Sequence, residues 1–302
     1  MILSRFGHDS TIITKDLIIG VEIGIQSPEG LIPIIPKYVS CNKSSWKRHT
    51  LNFCRILLEY GPSGISDAIK NSKIKMIYDP IYRTQMPYIK QENILIYNNP
   101  KSVFKEIFLN SSNGLRYNEE SIFNLINELD IDNIGITGSY ALGMQFEGSD
   151  IDLVIYGEKN SELFYDIFKN KAKIIECKNS FGGVIINGPC IPWRRGLYKN
   201  KAYSWTGVPE NIASHCNALN NYNRIEIPNK VKDLNITIPE GQIGALLYPP
   251  CVKDVNGRYV ISFEYNAGYL LYMGGNLKIS GLSNEKIIVI GVREYPGKIS
   301  TQ

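Results

Sequence analysis

Asp150 and Asp152 stand two residues apart at the head of the apolar run IDLVIY, and Gly138-Ser139 closes an earlier apolar run, NIGIT. Alternation along an extended strand puts both carboxylates on one face, with their Cα atoms about 7 Å apart. Such a pair suits divalent magnesium or manganese, which take hard oxygen ligands. Two such ions can clamp the attacking and leaving oxygens of a phosphoryl transfer. A glycine at position 138 lets the backbone approach a phosphate closely, and the Ser139 hydroxyl and neighbouring amides supply donors. The stretch between Ser139 and Asp150 holds one short helix and a turn, so a phosphate cradle and a metal-binding pair come to face each other. A lone Asp-x-Asp is often only a solvated turn; the LVIY that follows it and the Gly-Ser upstream favour the metal reading.

Other phosphate and metal motifs fail on particular residues. Gly138 and Gly143 have the glycine spacing of a P-loop, but Met144 stands where lysine is required. An EF-hand loop needs a ligand at Val154 and a glycine at Ile155. Thr137 interrupts the Gly-x-Gly of a dinucleotide fingerprint.

The elements that hold these residues follow from pattern and punctuation. From Asn133 the chain reads strand (NIGIT), short helix and turn (GSYALGMQFEGS), strand (DIDLVIYG), helix (NSELFYDIFKNK) and a short strand (AKIIEC). Two helices precede this unit, PKSVFKEIFLN and NEESIFNLINELD, the second with Asn118 as its cap and acidic residues in its first turn. The first 40 residues read as a β-hairpin or meander, WKRHTLNFCRILLEY as a helix ending at Gly61-Pro62, and the stretch around Pro80 and Pro87 as edge strands and loops. After about residue 231 short strands with Gly and Pro turns dominate, as in a small barrel or sandwich. The expected class is therefore mixed α/β (α+β), divided as 1–97 (β-rich), 98–231 (the unit carrying the chemistry) and 232–302 (β).

At Gly138, Ser139, Asp150 and Asp152 the sequence resembles the DNA polymerase β nucleotidyltransferase superfamily, whose signature is an apolar strand, Gly-Ser or Gly-Gly, about ten residues, then Asp-x-Asp or Asp-x-Glu in a second strand. The order of its larger pieces is similar to a group of archaeal predicted nucleotidyltransferases. The resemblance implies magnesium- or manganese-dependent transfer of a nucleotidyl group from a nucleoside triphosphate to an acceptor hydroxyl, on a half-barrel mixed sheet. It implies a third carboxylate on a later strand, which would hold the metal at the attacking hydroxyl. Glu176, in AKIIEC, follows in the right order and is the catalytic candidate. Glu226, in NRIEIP, is a more distant one, and the position is otherwise vacant. Vacancy leads to the alternative function, a catalytically silent nucleotide- or RNA-binding protein on the same fold.

The remaining charged and aromatic groups are less specific. Arg194 and Arg195, beside Trp193 and followed by Lys199 and Lys201, are the expected ligands of nucleotide phosphates or of a nucleic-acid acceptor, against the plainer reading of a solvated loop. Lys43, Lys47, Arg48 and His49 read as an ordinary solvated cluster beside Trp46, and His8, His49 and His215 as isolated structural histidines. Phe263, Tyr265 and Tyr269 share one face of a strand pattern, which suits barrel core more than base stacking.

Composition bounds these readings. The 302 residues are 43% hydrophobic and 21% charged with a net charge of +4, which excludes disorder and a polybasic nucleic-acid coat. No stretch reaches the roughly 20 apolar residues of a membrane span, and the first residues lack a signal-peptide core. The protein reads as cytoplasmic, with no membrane partner, and its six scattered cysteines as reduced thiols.

Overall fold

The computed structural model describes residues 8–23, 29–79, 84–110, 133–210, 215–216, 218 and 229–302. The second expected helix, from Asn118, and Glu226 lie outside them. The described chain is mixed α/β, strand-rich with few helices, and its strands form three sheets.

The first sheet is built from β1 (Thr11–Thr14), β2 (Ile18–Glu22), β3 (Leu31–Ser40), β4 (Lys47–Arg48), β5 (Leu51–Arg55), β6 (Met76–Asp79), β7 (Thr84–Lys90) and β8 (Ile94–Asn98), in the order β4-β5-β3-β2-β1-β8 with β7 on β3 and β6 on β7. Here the expected helix over WKRHTLNFCRILLEY is corrected to a hairpin. Its apolar spacing is helical, but His49 turns with φ 53° and Lys47 pairs back to Asn52. Helix α1 (Pro62–Ser72) begins where the helix was expected to stop. The fixed φ of Pro62 suits the first helical turn, where no backbone N–H is needed.

The second sheet carries the Asp-x-Asp run. It contains β9 (Ile134–Ile136), β10 (Ile151–Tyr156), β13 (Arg195–Tyr198) and β14 (Lys201–Val208) in the order β13-β14-β10-β9, with β10 and β14 parallel and the other pairs antiparallel. Helix α2 (Pro100–Asn110) packs on β9, and α3 (Gly138–Leu142) follows β9 directly. Helix α4 (Glu158–Lys171) buries Phe164, Tyr165 and Phe168 completely, the two phenylalanine rings stacked at 4.2 Å and both packed on Tyr203 of β14. Each such ring contributes about 1.5–3 kcal/mol by leaving water, so α4 clamps the β10–β14 pair. The stretch AKIIEC, expected as a strand, has only an isolated bridge, Lys173 to Leu197.

The third sheet is formed by β11 (Ser180–Phe181), β12 (Val184–Asn187), β15 (Asn229–Ile238), β16 (Cys251–Lys253), β17 (Tyr259–Ser262), β18 (Gly275–Ser283), β19 (Ile287–Ile290) and β20 (Lys298–Thr301). Its path is β11-β12-β20-β18-β19-β17-β16, with no pairing between the end strands β11 and β16 among the described residues. It branches at β18, which pairs with β15 and with both β19 and β20. The residues from Tyr265 to Met273 form a 3₁₀ turn and helix α5 (Gly268–Met273) rather than a strand, because the Glu264 side chain accepts from the Asn266 N–H and starts the turn.

The sheets share their cores. Ile13, Ile19, Tyr38 and Phe53 of the first sheet pack with Leu142, the last residue of α3, and with Met144 beyond it. Ile136, Leu153 and Trp205 of the second pack in one cluster with Val260, Leu277 and Ile299 of the third. All six cysteines are paired, Cys41–Cys54, Cys177–Cys190 and Cys216–Cys251, which corrects the expectation of reduced thiols. The scattered spacing hid this, because the partners of each pair meet through tertiary contact rather than through a short motif.

Candidate active site

The residues singled out for chemistry line a cavity of about 570 Å³ to which all three sheets contribute walls. Asp152 is the second residue of β10, and Asp150 lies just before the strand. The turn after β9 is drawn against them, since the Thr137 N–H donates to the Asp152 carbonyl at 2.9 Å. Gly138 takes φ +67°, and a Cβ there would collide with Asp152 Oδ2 and fall 2.8 Å from its Cγ. Only glycine leaves room for the carboxylate to lie on this turn. Ser139 Oγ is buried without a hydrogen-bond partner, a donor awaiting an acceptor.

The two carboxylates differ in setting. Asp150 is partly exposed and accepts from Arg195 Nη2 at 3.3 Å. Asp152 is deeper and accepts at Oδ1 from the Ser204 hydroxyl, its register partner on β14. Burial, then the Asp150 charge, pushes the Asp152 carboxyl up to about 6 against the opposing pull of Lys37, Ser204 and Arg195. Lys201 also feels Asp150, although burial carries its ammonium below the usual value.

Lys37 is the group that the sequence reading missed. It stands on β3 in the wall of the cavity. Burial alone would lower its pKa, but Tyr60, Asp152, Asp9 and Tyr38 outweigh that and hold it above its ordinary value. Its one sequence signal is a charged residue inside the apolar run LIPIIPKYV. The first sheet reaches the site because Arg48 Nε donates to the Leu142 carbonyl at the end of α3, 3.0 Å away, and Thr137 Oγ1 donates to the Asp9 carbonyl at 2.6 Å. The cluster around Trp46 thus serves as a dock, with Trp46 edge-on to Phe146 at 5.5 Å.

Gly138, Ser139, Asp150, Asp152, Arg194 and Arg195 all line the cavity. Glu176 does not. Its side chain is 61% exposed and pairs with Lys178 at 3.3 Å. Nor does the strand beside β10 supply a carboxylate: β14 reads KAYSWTGV and sets Ser204 opposite Asp152. The other cavity acids among the described residues are Asp9, Glu59 and Glu264. Among those residues no group of three His, Cys, Asp or Glu is gathered in the manner of an all-protein metal site.

A family model described as a nucleotidyltransferase domain matches residues 120–187, which include Gly138, Ser139, Asp150 and Asp152. No curated protein and no solved structure matches the chain. The domain match supports nucleotidyl transfer in general and with it a nucleotide substrate; it does not extend to the archaeal proteins. Among the described residues no helix is long and apolar enough to cross a membrane.

Proposed function

We propose that the chain transfers a nucleotidyl group from a nucleoside triphosphate, bound as its magnesium or manganese complex, to an acceptor hydroxyl. The observation that carries this reading is the placement of Asp150 and Asp152 against Gly138-Ser139 within one cavity. The donor set fits the metal. Magnesium is commonly held by one or two carboxylates together with substrate phosphates and water, and the mutual repulsion of Asp150 and Asp152 is what a divalent cation relieves. When bound, such an ion neutralises phosphate charge and favours the ionised form of a coordinated hydroxyl.

The chain's own groups do the positioning. Asp150 and Asp152 would hold the cation, Ser139 Oγ would donate to a phosphate oxygen, and Lys37 on β3 and Arg195 on β13 would neutralise the triphosphate. In the free protein Lys37 and Arg195 face these same carboxylates, so the site is electrostatically balanced before substrate arrives. A second reading, nucleotide binding without turnover, is favoured by one observation: Ser204 lies opposite Asp152, and Glu176 is turned to solvent.

Incubation with each α-labelled NTP and magnesium or manganese, alone and with RNA or protein, separates the two. Transfer of label that Asp152→Asn abolishes supports the enzyme. NTP binding without transfer under any condition selects the silent reading, and equal transfer by wild type and variant overturns the assigned site.

A further inference from the structure

The cavity is also lined by His8, Asp9, Arg194, Tyr248, Glu264 and Tyr265, to which the proposed nucleotide site assigns no part. Adjacent in sequence, Arg194 and Arg195 part company here. Arg195 reaches Asp150, whereas Arg194 lies over the Tyr265 ring, 4.8 Å from its centroid, and faces His8 and Glu264. His8, only 7% exposed, stacks on Tyr248 at 4.2 Å, and its Nε2 lies 3.8 Å from Asp9 Oδ2.

This region holds unpaired polar atoms. His8 Nδ1, Asp9 Oδ2 and Arg194 Nε are all buried without a hydrogen-bond partner. Native proteins rarely leave such atoms unsatisfied, and three from two distant parts of the chain, the His8-Asp9 pair and Arg194, around one cavity call for a ligand. The Glu264 carboxylate is already engaged, accepting from the Asn266 N–H at 2.9 Å and from its Nδ2 at 2.6 Å. Asp9 and Arg194 each keep a buried atom of a charged group unpaired, Oδ2 and Nε. A guanidinium stacked on an aromatic ring presents a planar pair of donors, which suits a carboxylate or a phosphate monoester. A carboxylate such as that of Asp9 accepts from a hydroxyl.

We propose that this half of the cavity is the acceptor subsite, and that it takes a small hydroxyl compound bearing one anionic group, a carboxylate or a phosphate monoester, with Arg194 holding the anion and Asp9 the hydroxyl. The assignment rests on nucleotidyl transfer as the activity. The whole cavity, about 570 Å³, lies within the roughly 300–1,000 Å³ of small-molecule sites. In the step itself the acceptor oxygen bonds to the α-phosphorus and the bond from that phosphorus to the bridging oxygen breaks. Pyrophosphate leaves with the electron pair, and Asp9 takes the hydroxyl proton before it passes to water.

The test compares ribose 5-phosphate and D-glycerate, the two anionic chemistries, with uncharged ribose and a short RNA bearing a free 3′ hydroxyl. Each is titrated by thermal unfolding and calorimetry against the full-length protein with saturating magnesium NTP. At least one anionic probe is expected to raise Tm and to accept label. Arg194→Gln should weaken that probe at least tenfold and leave NTP affinity within twofold, with Arg194→Lys in between. Arg195→Ala should do the reverse, and Asp9→Asn should lose transfer while still binding NTP.

The subsite is overturned if neither anionic probe binds, if ribose or RNA binds equally well, or if Arg194→Gln weakens probe and NTP alike. An Arg194-dependent anion shift in a protein that binds no NTP overturns the acceptor role together with nucleotidyl transfer. Normal NTP turnover with no such shift overturns the subsite alone.

Discussion

Asp152 offers a test that needs no substrate. Its carboxyl stands at about 6 in the folded protein against an ordinary 3.8, because it is buried and close to Asp150. The folded state therefore binds this proton more tightly than the unfolded chain does. The contribution of this one group to stability is therefore fully present below about pH 4, is lost as pH rises through the window from 3.8 to 6, and is absent above it. A rise of that size is worth on the order of 3 kcal/mol, and relaxation around a substituted side chain reduces what a single substitution recovers to about 1–3 kcal/mol.

Asn at this position cannot ionise but still accepts from Ser204, so Asp152→Asn removes the charge and keeps the hydrogen bond. Urea denaturation in the presence of a chelator, at a series of pH values from 4 to 8, should show the two proteins close together at the acid end. The variant should become more stable by about 1–3 kcal/mol above pH 6. Magnesium should then restore the wild type above pH 6 and leave the variant unmoved, since only a ligand of the native state shifts unfolding. Parallel stability curves across the whole range would refute the buried, coupled carboxylate.

Three further outcomes follow from the geometry. Gly138→Ala, which forces a side chain into φ +67° and onto the Asp152 carboxylate, should cost about 1–3 kcal/mol of stability in denaturant titration and reduce NTP turnover by more than 100-fold. Lys37→Gln should weaken magnesium NTP binding by about tenfold in calorimetry without a comparable loss for the nucleoside, and Lys37→Arg should recover part of it. Glu176→Gln should leave turnover unchanged and shift stability by less than about 1 kcal/mol, because its exposed pairing with Lys178 contributes little.

How far the sequence spoke for the structure depended on the range of the interaction. Strand β9, the turn at Gly138 and strand β10 are written within some twenty consecutive residues, where alternation and a single glycine suffice. Helices α2 and α4 were legible for the same reason, the first from Pro100 and the second from the spacing of Phe164 and Phe168. The Trp46 hairpin was not, because its apolar spacing suited a helix and the decision fell to pairing with β3 and the turn at His49. Asp9 was hidden since nothing local marks it, and Lys37 carried only the weak signal of a charge inside the apolar run LIPIIPKYV. They acquire a role only when the first sheet docks on α3 through Arg48 and Thr137. The divergence of Arg194 from Arg195 was equally invisible, being set by where β13 begins and by Tyr265, seventy residues on.

The pairing of β12 with β20 bears on when the site comes into being. Ile185, Ile186 and Asn187 find their partners at Lys298, Ile299 and Ser300, so a segment synthesised midway along the chain waits for strands made more than a hundred residues later. The turn between β11 and β12 in turn receives the Ser63 N–H at the start of α1, through the Gly182 carbonyl at 3.0 Å. A nascent chain that has emerged only as far as β14 already carries Gly138, Asp150, Asp152 and both arginines, yet lacks the partner that fixes β12 and the wall that Tyr265 provides. The walls of the cavity are therefore completed by residues from the last third of the chain, and closure of such long-range contacts is intrinsically slow. The cavity thus draws on contacts that span the described chain, from Ser63 at the start of α1 to Ser300 in β20.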